Sequence, residues 1–160
     1  NPVLAKQQVE TIRKGLIAAD PKHKAIYQAN AASFTQQLEA LDNQFKQRLK
    51  PYQNRTFITF HDAFSYLAQR YQLKQIAVVE IPEDTLSPAD IQKLVTVVKQ
   101  YEVKAVFGEP GVDNKLLQSL SQDLDISIRA LDSLESGSQN PQYYFTTMKA
   151  NLKTLESAFR

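Results

Sequence analysis

The side chains in this chain that could do chemistry stand where short apolar runs stop. His61-Asp62 ends the run Thr56-Phe57-Ile58-Thr59-Phe60, and a helical pattern takes over across 63–71. Glu80 closes a second run, with Glu83 and Asp84 just beyond it. Glu109 follows a third, in Phe107-Gly108-Glu109-Pro110, and Asp132 a fourth, in Ala130-Leu131-Asp132-Ser133. A neutral imidazole serves as a metal ligand or a proton carrier. Joined to carboxylates it suits a divalent transition metal, which accepts both donor types.

These residues are far apart in sequence, so only a particular fold brings them together. Strand patterns fall at 56–60, 75–80, 104–108 and 126–131, with helical patterns between them at 63–71, 88–101 and 114–124. Ser87-Pro88-Ala89-Asp90 reads as a cap, a first-turn proline and an acid at a capping position. Strands alternating with helices predict right-handed crossovers and a four-stranded parallel sheet with helices on its faces. In such a sheet every carboxyl end opens on one edge, where ligands bind in open α/β folds. A closing helix is expected from Asn140-Pro141 to about Phe159, with Tyr144, Met148, Leu152 and Leu155 on one face.

Ahead of this α/β part lies a helical one. Val9, Ile12 and Leu16 recur at helical spacing within residues 2–19. Asp20-Pro21 restarts the pattern, and Tyr27, Ala31, Phe34, Leu38, Leu41 and Phe45 carry it toward Pro51. This predicts a spine helix of about 40 Å, at about 1.5 Å per residue. The division expected is residues 1–50 for the helical part with its spine, and 51–160 for an α/β lobe that binds metal. Asn1-Pro2 reads as a helix cap followed by proline, which suggests a piece cut from a longer protein.

Each residue also has a plain structural reading. Asp62 suits the cap of the next helix, Glu83 and Asp84 suit a solvated loop, and Glu109 can hydrogen-bond a neighbouring loop. His61 can be a satisfied buried histidine. His23, between two lysines in the first turn of the spine, looks solvated, while Met148 and the pair Tyr143-Tyr144 look like core. Spacing by itself leaves the metal site as one reading among these.

Composition removes several classes. At 160 residues the chain suits one domain with a real core. It has no cysteine, which excludes disulfides, thiolate metal sites and thiol nucleophiles. A net charge of +2 is too small to argue for nucleic acid or an anionic membrane surface. No run approaches the roughly 18 apolar residues that span a bilayer.

The run Phe57-Ile58-Thr59-Phe60-His61-Asp62-Ala63-Phe64-Ser65-Tyr66-Leu67-Ala68-Gln69-Arg70-Tyr71 closely resembles the start of the carboxyl lobe in the zinc and manganese solute-binding proteins of ABC transporters. Ile81-Pro82-Glu83-Asp84 through Ser87-Pro88-Ala89-Asp90, then Phe107-Gly108-Glu109-Pro110, Leu131-Asp132-Ser133-Leu134 and the spaced Tyr144, Met148, Asn151 and Leu152 extend the likeness. Asn1-Pro2-Val3-Leu4-Ala5-Lys6 looks like the residues after a His-x-Trp-Leu-Asp/Asn-Pro motif.

The resemblance implies a linking helix and a carboxyl lobe whose partner, an amino-terminal lobe of the same protein, is missing from these residues. His61 and Asp132 would be metal ligands, two further histidines would come from outside this chain, and Glu109 would orient a ligand. The cargo would be Zn2+, with Mn2+ or iron as alternatives; a histidine where manganese members carry glutamate makes the ligand set nitrogen-rich and favours zinc. Such a protein captures its ion in the periplasm or at the extracytoplasmic surface and hands it to a membrane ABC permease. It is not an enzyme.

Two rivals stand beside that reading. His61, Asp132 and Glu109 could serve a metal-dependent hydrolase through an activated water. The chain has no HExxH, no GxSxG and only four glycines, which leaves no glycine-rich phosphate cradle. A surface adhesin would instead use the long helix as a docking face.

Overall fold

Asn1 caps the first helix with its own side chain, Oδ1 accepting from the amides of Val3 at 3.0 Å and Leu4 at 3.4 Å. That helix, α1, runs Pro2–Ala19. The computed structural model describes residues 1–79, 87–101, 103, 105–108 and 121–160. The chain divides into two units, Asn1–Lys50 and Pro51–Arg160.

In the first unit α1 turns back into α2, Lys24–Leu49, through a 3₁₀ turn at Pro21–His23. The sequence pattern places these three residues in the first turn of the spine helix, with Asp20 as its cap. The structure differs at Asp20, whose carboxylate accepts from the Tyr27 hydroxyl at 2.9 Å and pairs with the His23 ring at 2.6 Å. Those two contacts, His23 first, hold the Asp20 carboxyl below its ordinary range. Both contacts fall on Oδ2; no side-chain capping bond is made, and the first turn is a 3₁₀ turn. Val9, Leu16, Tyr27, Ala31 and Phe34 line the seam between the two helices, and Lys6 bridges to Glu39 at 2.6 Å across it.

Among the described residues the second unit holds four strands, β1 (Thr56–His61), β2 (Lys74–Val79), β3 (Ala105–Gly108) and β4 (Ser127–Ala130). All neighbours are parallel, in the order β2-β1-β3-β4. The helices described from end to end are α3 (Ser65–Arg70), α4 (Pro88–Tyr101) and α5 (Tyr143–Phe159); of the helix expected at 114–124, residues 121–124 are helical and the rest lie outside the described residues. The chain leaves β1 for β2 in one direction and returns past β1 to β3 in the other. Right-handed crossovers in opposite directions put their helices on opposite faces.

The packing follows. On one face Ile58, Phe60, Val78 and Val106 form a core with Leu94 and Val98 of α4. On the other, Phe57 meets Phe107 and Phe159 edge-on, with ring centroids 5.9 and 6.4 Å apart. Ala68 and Gln69 of α3 share a cleft there with Gln75 and Ala77. The reversal of direction at β1 and β3 makes their carboxyl ends the topological switch point, the usual position of a ligand crevice in open α/β sheets.

Candidate metal centre

His61 is the last residue of β1, paired with Val79 of β2, and only 8% exposed. The chain turns immediately afterwards, with the amide of Ala63 donating to the His61 carbonyl at 3.1 Å. This three-residue turn leaves Asp62 exposed. It also delays α3 to Ser65, with Phe64 at the cap position and no side-chain cap bond. Asp62 is therefore not the cap that its position suggested, because the turn uses the backbone that a cap would have organised.

Asp132 lies two residues past the end of β4. Asn151 of α5 grips its backbone from both sides: the Asp132 amide donates to Asn151 Oδ1 at 2.9 Å, and Asn151 Nδ2 donates to the Asp132 carbonyl at 2.7 Å. The carboxylate accepts from the Leu134 amide at 2.8 Å through Oδ1 and from the Tyr143 hydroxyl at 3.2 Å through Oδ2. Leu134 sits at φ 65°, a left-handed conformation costly for a branched side chain. The bond from its amide to Asp132 helps hold it there. Gly137 makes room for Tyr143, since a Cβ at that position would overlap the Tyr143 ring. Each carboxylate oxygen retains a second lone pair for another partner.

Parallel strands lie about 4.8 Å apart, so β1 and β4, separated by β3, stand about 10 Å apart at one edge of the sheet. The strand ends that carry His61 and precede Asp132 thus lie on the same rim. Glu80, Glu83, Asp84 and Glu109 lie outside the described residues. Among the described residues no three His, Asp or Glu side chains are grouped to hold an ion. His23 belongs to the corner with Asp20, far along the chain from this rim. Met148 is buried, as its spacing implied.

Several residues at the rim went unread in the sequence. Tyr143 passed as core, although its hydroxyl reaches Asp132. Asn151 had a visible signal, being an amide on the apolar face that Met148, Leu152 and Leu155 define, and it is 3% exposed. A buried amide must find partners, and the open backbone beside Asp132 supplies them. Thr59, a hydroxyl inside an apolar strand, gave the same kind of signal.

A parallel α/β unit with metal-type donors on its carboxyl rim, preceded by a helical unit, is the architecture of a solute-binding protein's carboxyl lobe. The chain belongs to the ZnuA family, "Zinc-uptake complex component A periplasmic", whose model matches residues 1–158. The chain is 31% identical over 163 residues to the high-affinity zinc uptake system protein ZnuA of Bacillus subtilis, covering 99% of this chain and 51% of that protein. It is 32% identical over 161 residues to the zinc-binding lipoprotein AdcA of Streptococcus pneumoniae, covering 98% and 32%.

Among solved structures, the laminin-binding protein Lmb of Streptococcus agalactiae, described as a bifunctional protein with adhesin and metal transporting activity, superposes with a TM-score of 0.92. That match is at 34% identity and covers 100% of this chain and 63% of that one. A Zn(II)-bound variant of AdcAII from Streptococcus pneumoniae gives 0.88 at 30%, covering 100% and 58%. The chain spans about half the length of the Bacillus relative and about a third of the streptococcal lipoprotein. Membership puts the chain in a periplasmic family of uptake components, which is not a family of enzymes.

Proposed function

We propose that this chain is the part of an extracytoplasmic zinc-capturing protein that contributes His61 and Asp132 to the ion, with residues 51–160 as the metal-binding lobe and residues 1–50 as the connector to the rest. The parent protein would carry the loaded ion to a membrane ABC permease. The observation that carries the reading is the position of His61. It ends β1, one of the two inner strands, at the topological switch point, with Asp132 beyond the same rim, in a family of zinc-uptake components.

The chemistry follows from the donors. Zn2+ takes about four ligands in a tetrahedron of nitrogen, sulfur or oxygen. This chain has no cysteine, so one imidazole and one carboxylate fill about half of it, and the remaining donors come from elsewhere in the parent. An imidazole favours zinc over manganese, and the Bacillus and pneumococcal sequence relatives cited above carry zinc in their names. Glu109 is assigned the role of hydrogen-bonding and orienting a ligand, as metal-bound histidines generally require. Because His61 coordinates only when neutral, acid should release the ion.

The test is zinc titration of the full-length protein against its His61→Ala and Asp132→Ala variants. Both should bind zinc more weakly, with the imidazole loss the larger. An unchanged Kd for His61→Ala would remove the assignment.

A further inference from the structure

The end of β1 carries a polar device that the zinc-binding reading does not by itself require. The His61 carbonyl accepts from the Ala63 amide, as described, and from two side chains. The Thr59 hydroxyl donates to it at 2.8 Å, and Gln75 Nε2, from the neighbouring strand, approaches it at 3.3 Å. Gln75 Nε2 also donates to Thr59 Oγ1 at 2.7 Å. The register makes this possible. Phe57 pairs with Gln75, Thr59 with Ala77 and His61 with Val79, so Thr59, His61 and Gln75 share one face of the sheet.

The directions of these bonds are fixed by elimination. A carbonyl only accepts. Thr59 spends its single hydrogen on that carbonyl, so toward Gln75 it is also an acceptor. Only the amide nitrogen of Gln75 can face both, which turns its Oε1 away. That oxygen is buried and has no hydrogen-bond partner among the described residues. A buried orphan acceptor is costly, so the Gln75 amide is held in this orientation by the two bonds its nitrogen makes.

His61 is the last residue of its strand, where the ladder gives out and the backbone would otherwise be free to swing. The carbonyl beyond its Cα is held by three donors, and its position on that side is set as firmly as inside the sheet. Partners that orient metal-bound histidines usually act on the ring nitrogen. Here the hold is on the main chain of the ligand.

We propose that Thr59 and Gln75 are positioning residues for zinc capture, forming a clamp on the His61 carbonyl that presents the imidazole to the ion. The inference rests on the assignment of His61 as a ligand. Without the clamp, the ordering of the strand end would be drawn from the binding free energy, and affinity would fall by about the 10-fold or more seen for outer partners of metal ligands.

The experiment uses the full-length protein with zinc titration, Co2+ absorption spectra and apo-protein thermal melts. The variants are Gln75→Leu, Thr59→Val, Thr59→Ser and His61→Ala. Zinc affinity should fall about 10-fold in Gln75→Leu and Thr59→Val, and the Co2+ ligand-field bands should shift. Thr59→Ser, which keeps the hydroxyl, should restore both. Where Gln75→Leu does not yield folded protein, the contrast between Thr59→Val and Thr59→Ser decides the matter alone. Wild-type affinity and spectra in both clamp variants, with His61→Ala impaired, would overturn the clamp and leave the ligand assignment standing. A lowered melting temperature with unchanged zinc binding would overturn it too. His61→Ala without effect would sink both.

Discussion

The close of β1 and the loop after β4 each present one donor on the same rim, and they hold it by different means. His61 belongs to a strand with neighbours on both sides, and its carbonyl is bonded from within the sheet. Asp132 has already left its strand, and a helix fixes it: Asn151 supplies an acceptor and a donor that a neighbouring peptide would otherwise give. The carboxylate itself is shared with the Leu134 amide and the Tyr143 hydroxyl. The first mount is nearly independent of the rest of the fold. The second is also the joint between β4 and α5. Damage to the His61 end should therefore be read mainly in ion affinity, and damage at the Asp132 end in stability as well.

The largest expected effect is on affinity alone. His61→Ala should weaken zinc binding by at least about 100-fold, the upper end of what outer partners cost, with little change in the urea midpoint of the apo-protein. Asp132→Ala should lower both, since it strips partners from Leu134 and Tyr143.

Next comes the helix joint. Asn151→Ala leaves the Asp132 amide and carbonyl without their partners and should cost about 1–3 kcal/mol in urea denaturation. Asn151→Asp should fail to rescue it, because a carboxylate cannot donate to the carbonyl. Should Asn151→Ala leave stability untouched, the contrast between the two mounts would collapse.

Tyr143 and Tyr144 give a finer comparison. Tyr143→Phe loses the bond to Asp132 and should cost about 0.5–1.5 kcal/mol. Gly137→Ala should act in the same direction by displacing the ring, and the two changes together should cost less than their sum, since they break one contact. Tyr144 is the opposite case, because its hydroxyl is buried without a partner among the described residues. Tyr144→Phe should raise stability, by about 1 kcal/mol.

The smallest effect is alkaline. Burial pushes the Tyr144 phenol from 10.0 up to about 12. Between those values the unfolded chain ionises while the folded one keeps its proton. Stability thus falls as pH rises through this window, and it is unaffected below it. A melt series across that range should show a shallower decline in Tyr144→Phe.

Much of this was legible from periodicity. The strand runs, the parallel alternation and the position of His61 at a strand end follow from apolar runs and helix caps, which are local signals. The misreadings arose where a side chain was spent on a longer contact. Asp20 pairs with Tyr27 and His23 beside a 3₁₀ turn that periodicity does not show. The amide of Ala63 went back to His61, and Asp62 lost its expected place as a cap. The hold of Asn151 on Asp132 and that of Gln75 on His61 join residues on different elements, and no spacing rule reports such pairs. Only the presence of an amide or a hydroxyl in an apolar setting hints at them.

β4 is four residues long, its ends are exposed, and among the described strands it has a neighbour on one side only. Arg129 stands on it and reaches across to Ser157 of α5. A short outer strand bearing a cation is a poor template for a foreign strand to zip onto. The sheet can thus end beside the Asp132 loop without offering a second copy of the chain a strand to pair with along that edge.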